Sequence, residues 1–181
     1  MKKCPECKQT LRHSLRNEYH YTESGLANVY LRNVEVVQCR CGESVLLRSH
    51  PTLLRIIAKC FAFKPARIRG HELRFVRQVL GAKAKDLADA LSVAPETLSR
   101  AENSREPLSA ALDKMLRAHV FVEIAAKHKE LASDSDAEKL GALLRSRIGE
   151  KDARLGLYIE YRGTYLRAEK PSFDFEFRKA A

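Results

Sequence analysis

Four of the five cysteines of this 181-residue chain form two close pairs within its first 41 residues, a spacing typical of metal ligands. Two residues separate Cys4 from Cys7, and one residue separates Cys39 from Cys41. Two tight turns that each present two thiolates assemble a tetrahedral zinc site of the ribbon type. Four cysteine ligands leave no open coordination position, so we predict one structural Zn²⁺. A redox pair or disulfides are the alternatives.

The segment between the cysteine pairs has the pattern of antiparallel strands. Residues 18–22 alternate polar and aromatic side chains, residues 23–25 are turn-forming, and residues 28–37 are rich in Val, Leu and Tyr. A domain this small buries too little apolar surface without its metal, so we expect metal binding and folding to be one event. We therefore predict a zinc-ribbon β domain over residues 1–50.

A second stretch, residues 87–103, has the pattern of two short helices joined by a tight turn. Pro95 fits the first turn of a helix, where its missing N–H is not needed. Apolar residues recur on one face of each helix, namely Leu87, Ala88, Leu91, Leu98 and Ala101. Two such helices form a helix-turn-helix, in which the second is the recognition helix.

The pattern Leu-Ala-x-x-Leu-x-Val and then x-x-Thr-Leu-Ser-Arg-x-Glu-Asn within residues 87–103 resembles the phage-repressor (Cro-like, XRE-type) helix-turn-helix family. The resemblance covers about residues 69–120. It implies a five-helix DNA-binding domain, which we place at residues 69–131. In that family an arginine of the first helix pairs with the glutamate that ends the recognition helix. Here these residues are Arg77 and Glu102, which the resemblance implies to be a structural ion pair.

Outward-facing side chains of the recognition helix are candidates for base contacts: Arg100, Thr97, Glu96 and Ser99. Arg100 is the strongest candidate because a guanidinium binds guanine O6 and N7 bidentately. For Thr97 and Glu96 a structural role is an equal alternative. Candidates for phosphate contacts are the basic residues Lys83, Lys85, Arg105 and Arg74. The chain departs from the family pattern at Ala101, where a larger apolar residue is usual, and at Ala84, where a glutamine that often contacts DNA is usual.

The distribution of charge favours a polyanionic partner. The formal net charge is +10, and eight basic residues lie between Lys59 and Lys85 against Glu72 alone. Such a run binds nucleic acid by releasing its counterions. A solvated linker is the alternative, but beside a helix-turn-helix we favour nucleic acid.

The N-terminal segment also resembles a known family. The tract Tyr19-His-Tyr-Thr-Glu-Ser-Gly-Leu26, with Val29-Tyr-Leu31 and the cysteine pairs, is similar to the YgiT-type zinc finger of MqsA-like antitoxins. In that family a zinc domain precedes a Cro-like domain, and the same order is found here over about residues 1–120. The resemblance implies that the zinc domain binds a toxin while the central domain represses an operon.

Helical patterns flank the central domain. Pro51 to Phe63 carries an apolar stripe that includes Cys60, which we predict to be buried and not a ligand. We interpret residues 51–68 as a connecting helix and linker. Ser109 is a predicted N-cap for a helix whose apolar residues exceed what a minimal domain needs, namely Val120, Phe121 and Ile124. We predict that they form a homodimer interface suited to palindromic DNA; packing on the C-terminal residues is the alternative.

Residues 132–181 form a C-terminal extension to which the sequence assigns no role. The tetrapeptide 135–138 fits a capping box that would begin a helix reaching about Ile148. Alternating segments on either side of Arg162-Gly163 predict a β-hairpin. Phe173, Phe175 and Phe177 share one face of an extended segment.

Taken together, these patterns predict a mainly α fold with small β modules: a zinc ribbon, a Cro-like domain and an α/β-hairpin extension. No catalytic motif is recognisable, so we expect no enzymatic activity. No apolar run reaches the length of a membrane span and no signal peptide is evident, so we expect a cytoplasmic protein. The leading hypothesis is a sequence-specific DNA-binding repressor, which could be the antitoxin of a type II toxin–antitoxin pair. The alternatives are a protein–protein adaptor that uses its zinc domain and C-terminal tail, and an RNA-binding protein.

Overall fold

The computed structural model describes most of the chain, over residues 3–4, 6–41, 44–46, 51–103, 108–146, 148, 155–162 and 172–179. Within these residues the fold is mixed α/β, with six α-helices and one five-stranded sheet. The chain divides into two compact units. We name them the sheet unit (Met1–His50 and Gly156–Arg178) and the helical unit (Pro51–Leu155 and Lys179–Ala181). None of the helices described is both long and apolar enough to cross a membrane.

The sheet combines strands from both ends of the chain. The strands are β1 (Arg12–His20), β2 (Val29–Gln38), β3 (Ser44–Leu46), β4 (Leu155–Arg162) and β5 (Ser172–Lys179). Their order is β1-β2-β4-β5, with β3 pairing separately with β2. The antiparallel pair predicted between the cysteine pairs is confirmed, because β1 and β2 align with Arg12 opposite Gln38. By contrast, β4 runs parallel to β2, with Leu157 opposite Val29.

The pairing of β4 with β2 changes the picture of the C-terminal residues. The sequence predicts one extension over residues 132–181, yet β4 and β5 complete the N-terminal sheet. Leu157 and Ile159 of β4 are buried in the same unit as Leu31 of β2. The turn of the predicted hairpin lies outside the described residues, although β4 and β5 are neighbours in the sheet.

A ladder of three stacked rings crosses the other face of the sheet. His20, Tyr30 and Tyr158 are register partners on β1, β2 and β4. The ring centroids of His20 and Tyr30 lie 4.8 Å apart, and those of Tyr30 and Tyr158 lie 4.7 Å apart. The Arg32 guanidinium lies 4.8 Å from the centroid of the Tyr158 ring. Cross-strand contacts of this kind stabilise a sheet and here join β4 to β2.

The ladder depends on the absence of a side chain at Gly156, which leads to a first prediction. A Cβ atom there would lie 2.9 Å from Cε2 of Tyr158 and 3.1 Å from Cε2 of Tyr30. Gly156→Ala should therefore lower the free energy of unfolding of the sheet unit by about 1–2 kcal/mol, since overpacking forces rings out of place. Urea unfolding followed by tyrosine fluorescence measures it. Gly141→Ala is the control, because its Cβ would meet only the flexible end of Arg145. A Gly156→Ala variant as stable as the parent would contradict the prediction.

The helical unit contains all six helices of the described residues. They are α1 (Pro51–Ala62), α2 (Gly70–Leu80), α3 (Ala84–Ala90), α4 (Pro95–Asn103), α5 (Ala110–Lys127) and α6 (Asp134–Arg145). Gly81 ends α2 in the left-handed conformation, with φ at 69°. The predicted N-cap of α5 is confirmed, because Ser109 Oγ accepts a hydrogen bond from the N–H of Leu112. The tight turn predicted before Pro95 is also present, with Ser92 at a φ of 52°.

The capping box of α6 lies two residues before the predicted position. Ser133 is the N-cap, and its Oγ accepts from the N–H of Asp136 while Asp136 accepts from the N–H of Ser133. The prediction at residues 135–138 was wrong because both tetrapeptides have a box-like pattern. Tertiary contact decides between them, since Asp136 also pairs with Lys59 of α1 at 2.7 Å. The helix ends at Arg145 and not at Ile148.

The apolar stripe of α5 that was predicted to form a dimer interface is covered within the protomer. Val120 and Ile124 are each 1% exposed. Phe121 packs edge-on against Phe63, with ring centroids 6.1 Å apart. The stripe packs within the helical unit, so its assignment to an interface was wrong. The large apolar side chains that α5 does expose are Met115 and Val122. Homodimerisation itself stays a prediction.

A buried arginine organises the connection between α1 and α2. Arg117 of α5 is fully buried and its Nε donates to Asp113 Oδ2 at 2.7 Å. Its guanidinium also donates to three backbone carbonyls, those of Ala62, Lys64 and Ala66. Asp113 Oδ1 accepts from the N–H of Ile68 at 2.7 Å. Three of the seven residues of the connection, Lys64, Ala66 and Ile68, are therefore tied to α5 by hydrogen bonds that satisfy buried polar groups.

Candidate metal centre and nucleic-acid interface

The two cysteine pairs converge at one end of β2. The Sγ atoms of Cys4, Cys7, Cys39 and Cys41 all lie within 4.8 Å of one another, so these residues could bind a metal ion. The Sγ atoms of Cys4 and Cys41 are 3.8 Å apart, and those of Cys7 and Cys39 are 3.1 Å apart. Thiolates at about 2.3 Å from a tetrahedral Zn²⁺ lie about 3.8 Å from one another. The first distance matches that value, and the second needs a shift of well under 1 Å.

Each pair is positioned by a local turn. The N–H of Lys8 donates to the carbonyl of Cys4 at 3.0 Å, and Lys8 takes a left-handed φ of 59°. The second pair follows directly from the end of β2 at Gln38. Because β1 and β2 are antiparallel, the start of β1 and the end of β2 meet at one edge of the sheet. The strand pair thus brings together two turns that are more than 30 residues apart.

Hydrogen bonds at the cluster act on the protonation of the thiols. A backbone hydrogen bond from Cys7 lowers the pKa of Cys4 to about 7, which favours its thiolate. A backbone hydrogen bond from Cys41 lowers the pKa of Cys39, but its bond to Cys7 Sγ and its burial together raise that pKa above its usual value. The cluster therefore holds one thiol that loses its proton readily, and a metal ion favours the thiolate form of all four.

Neither His20 nor the fifth cysteine, Cys60, belongs to the cluster. His20 stacks on Tyr30 and its Nε2 lies 3.0 Å from the carbonyl of Ala27. Cys60 is fully buried in the helical unit, and burial raises its thiol pKa. This confirms the prediction that Cys60 is a small buried side chain and leaves the four-cysteine cluster as the metal-ligand group of the described residues.

The ends of α2 and α4 are joined by a two-armed ion pair. Arg77 Nε lies 2.5 Å from Glu102 Oε1, and Nη2 lies 2.9 Å from Oε2. The third nitrogen, Nη1, donates to the carbonyl of Ala82 at 3.2 Å. The hydrogen bond to Glu102 raises the pKa of Arg77. The structure therefore brings together the two residues that the family resemblance paired.

A second contact at the end of α4 was not foreseen. Arg74 Nη2 donates to Asn103 Oδ1 at 2.5 Å, and Asn103 Nδ2 donates to the carbonyl of Ser99 at 2.8 Å. Arg74 Nε also lies 3.6 Å from Glu102. Arg74, proposed as a phosphate contact, thus binds the end of α4 while 45% of its side chain is exposed. Its spacing of three residues from Arg77 was the available signal, because it places both on one face of α2.

The opposite face of α4 is polar and exposed. Buried Leu98 holds the helix on the core, while the four predicted base-contacting residues are all exposed: Glu96, Thr97, Ser99 and Arg100. Lys83 and Lys85 are exposed at the start of α3, where Lys83 is the N-cap. Arg105 lies outside the described residues. The exposed side chains of α4, of α3 and of the N-cap of α3 therefore include two lysines and one arginine.

Comparison with known proteins identifies no relative. No protein-family model, no curated protein and no solved structure matches this chain.

Proposed function

We propose that this chain is a sequence-specific DNA-binding transcriptional regulator that acts as a repressor and carries one structural Zn²⁺. The observation that supports this most is the exposed polar face of α4. Arg100, Thr97 and Ser99 lie on that face, while Arg77 and Glu102 clamp the end of the helix to α2. A short helix that carries donors and acceptors and is held firmly on a core is suited to the major groove.

Rigidity of the recognition helix matters for selectivity. A base contact discriminates only if its donors are held in place before DNA arrives. Glu102 is held by Arg77, and Asn103 is held by Arg74, so both final residues of α4 are tied to α2. In this proposal Arg100 contacts a guanine, and Lys83 and Lys85 at the start of α3 bind phosphates of the DNA backbone.

Zinc is the metal that fits the cluster. Four thiolates at tetrahedral spacing select a soft or borderline ion, and Zn²⁺ is the usual occupant of such a set. Cys4, Cys7, Cys39 and Cys41 would hold it, and the ion would join the ends of β1 and β2. With all four positions taken by sulfur, its contribution is to stability and not to chemistry.

The proposal extends to partners. A regulator of this type binds a palindromic operator as a homodimer, with one recognition helix in each half-site. The order of a zinc domain before a helix-turn-helix supports the further proposal that the protein is the antitoxin of a type II pair. In that case the sheet unit would bind the toxin. Co-expression with the product of a neighbouring toxin gene, followed by purification of a complex, tests this part.

The direct test is binding of the zinc-loaded chain to its own upstream promoter, compared with scrambled duplex of equal length over a salt series. We expect the promoter to bind about 10³-fold more tightly or better, with affinity that falls steeply with salt. Equal and weak binding of both duplexes would contradict the proposal. It would favour the adaptor, in which the helix-turn-helix is only a scaffold.

Arg100→Ala provides the prediction at residue level. Loss of one bidentate guanine contact is worth about 1–3 kcal/mol, so the preference for the promoter should fall roughly 5- to 150-fold. Fluorescence anisotropy with both duplexes measures this ratio. Arg145→Ala on α6 removes the same charge elsewhere and should leave the ratio unchanged. An unaltered ratio in Arg100→Ala would show that Arg100 does not read a base.

A further inference from the structure

The sheet ends at β5, and β5 has a regular two-faced pattern. No strand pairs with its outer edge in the part of the chain that the structure describes. Phe173, Phe175 and Phe177 lie on one face and are only partly buried. Charged side chains lie on the other face, with Asp174 and Arg178 at its two ends. An amphipathic strand with an open edge is a template for pairing with another strand.

The charged face of β5 is ordered by its own neighbours. Glu176 accepts from Arg32 of β2 at 2.7 Å and lies 2.5 Å from Arg178. Arg178 lies 5.8 Å from the centroid of the Tyr158 ring. Phe175 and Phe177 meet edge-on, with ring centroids 6.3 Å apart. The strand therefore presents side chains in defined positions on both faces.

We propose that β5 pairs antiparallel with β5 of a second copy of this chain, about a two-fold axis at Glu176. In this register Asp174 lies opposite Arg178 of the second copy, and Phe175 lies opposite its Phe177. Symmetry makes each pair twice. Both copies keep their phenylalanines on one face of the extended sheet, and two complementary ion pairs lie on the other. The homodimer itself is part of the proposed function, but pairing through β5 goes beyond it and does not depend on DNA binding.

Alternative registers of the same strand pair are less favourable. A shift of two residues in one direction places Asp174 opposite Glu176 twice, and like charges directly opposite destabilise a pair. The same shift in the other direction retains only one phenylalanine pair and shortens the overlap. An odd shift places both Phe175 and Phe177 opposite charged residues, whereas in the proposed register only Phe173 faces a charged residue, Lys179. In the proposed register the two Glu176 carboxylates meet at the axis, where each is already paired with Arg32 and Arg178 of its own chain.

β5 presents more large apolar side chains to a second copy than β1 or α5 does. β1 also has an open outer edge within the described residues, and a two-fold axis at Asn17 would place Arg16 opposite Glu18 of a second copy, but Leu15 is its one large exposed apolar side chain. On α5, Met115 and Val122 are exposed one heptad apart without an oppositely charged pair between them. The second copy is therefore assigned to β5.

A charge-swap experiment tests the pairing on the full, zinc-loaded chain without DNA. A pair of eight-residue strands buries less area than a standard interface of about 1,600 Å², so we expect a weak dimer. Analytical ultracentrifugation should therefore use protein concentrations from roughly 10 μM to 1 mM. We expect the parent chain to dimerise. Asp174→Lys and Arg178→Glu should each weaken dimerisation about tenfold or more, because each places like charges opposite one another. An equimolar mixture should form a heterodimer, since lysine then faces glutamate and arginine faces aspartate.

Controls on the other surfaces make the result decisive. Leu15→Asp on β1 and Val122→Asp on α5 should leave dimerisation through β5 unchanged. The proposal would be overturned if Leu15→Asp alone, or Val122→Asp alone, dissociated the dimer. It would also be overturned if the parent chain stayed monomeric at every concentration. A mixture of the two charge variants that fails to associate would overturn the register.

A cross-link gives a second, independent readout. At the axis the two Cβ atoms of residue 176 would be about 4.5–5.5 Å apart, so Glu176→Cys should form a disulfide between copies on mild oxidation. Asp174→Cys should not, because it faces residue 178 of the second copy. Equal cross-linking of both variants, or none of either, would contradict the pairing even if a charge variant folds poorly.

Discussion

Replacing Arg117 with methionine is expected to lower the free energy of unfolding of the helical unit by about 3–5 kcal/mol, because it leaves a buried charge without its partner. Asp113 would keep its carboxylate in the core, and the carbonyls of Ala62, Lys64 and Ala66 would lose a donor. Urea unfolding followed by far-UV circular dichroism measures the change, since the described helices all belong to this unit.

The chain provides a matched control on the same helix. Glu123 and Lys127 form an ion pair with the same spacing of four residues, at 2.6 Å, but the Lys127 side chain is 59% exposed. Lys127→Met should therefore change stability by less than about 0.5 kcal/mol. Adding Asp113→Leu to Arg117→Met should recover part of the loss, because it removes the unpaired charge. If Arg117→Met and Lys127→Met proved equally mild, the buried network would not hold the connection between α1 and α2.

Loss of one metal ligand should have the second large effect. With Cys39→Ser, or after treatment with a chelator, we expect the β1–β2 pair to unfold while the helices remain. In small domains a structural zinc ion contributes an apparent binding free energy of about 10–16 kcal/mol. This is more than the folding free energy that a sheet of this size reaches without a metal. Metal analysis should fall from one ion per chain towards none, and the backbone amide signals of β1 and β2 should collapse in NMR spectra.

Cys60→Ala separates this effect from a general loss of stability. Cys60 is as buried as Cys4 but belongs to the helical unit and not to the cluster. The variant should keep one metal ion per chain, although it removes a core sulfur. A Cys39→Ser variant that retained its full metal content and its sheet would contradict the four-cysteine site.

Features that depend on neighbouring residues were predictable from the sequence. Local chemistry accounts for the helix starts at Pro95 and Ser109 and for the helix end at Gly81. It also accounts for the strands between the cysteine pairs. The meeting of the cysteines was also predictable, because tight turns at the ends of an antiparallel pair must converge. In each case the deciding interactions lie within a few residues of one another or across one strand pair.

Non-local features were not predictable. The periodicity of α5 shows that Val120 and Ile124 are buried but not what covers them, so they were assigned to an interface. Arg117 lies on the same buried face of α5, but its burial was not predicted because charged residues are ordinarily exposed. The parallel pairing of β2 with β4 depends on strands more than 120 residues apart, and alternation alone does not specify a partner.

That pairing has a consequence for the order of events during protein synthesis. β2 is synthesised before the helical unit, and β4 is synthesised after it. About 130 residues therefore separate β2 from its partner strand, which corresponds to roughly 6 to 26 s at ordinary elongation rates. The cysteine pairs are complete long before then, so a metal ion can hold β1 and β2 together in the meantime. The helical unit therefore has time to fold as an insertion, and the pairing of β4 with β2 must wait until that unit has been synthesised.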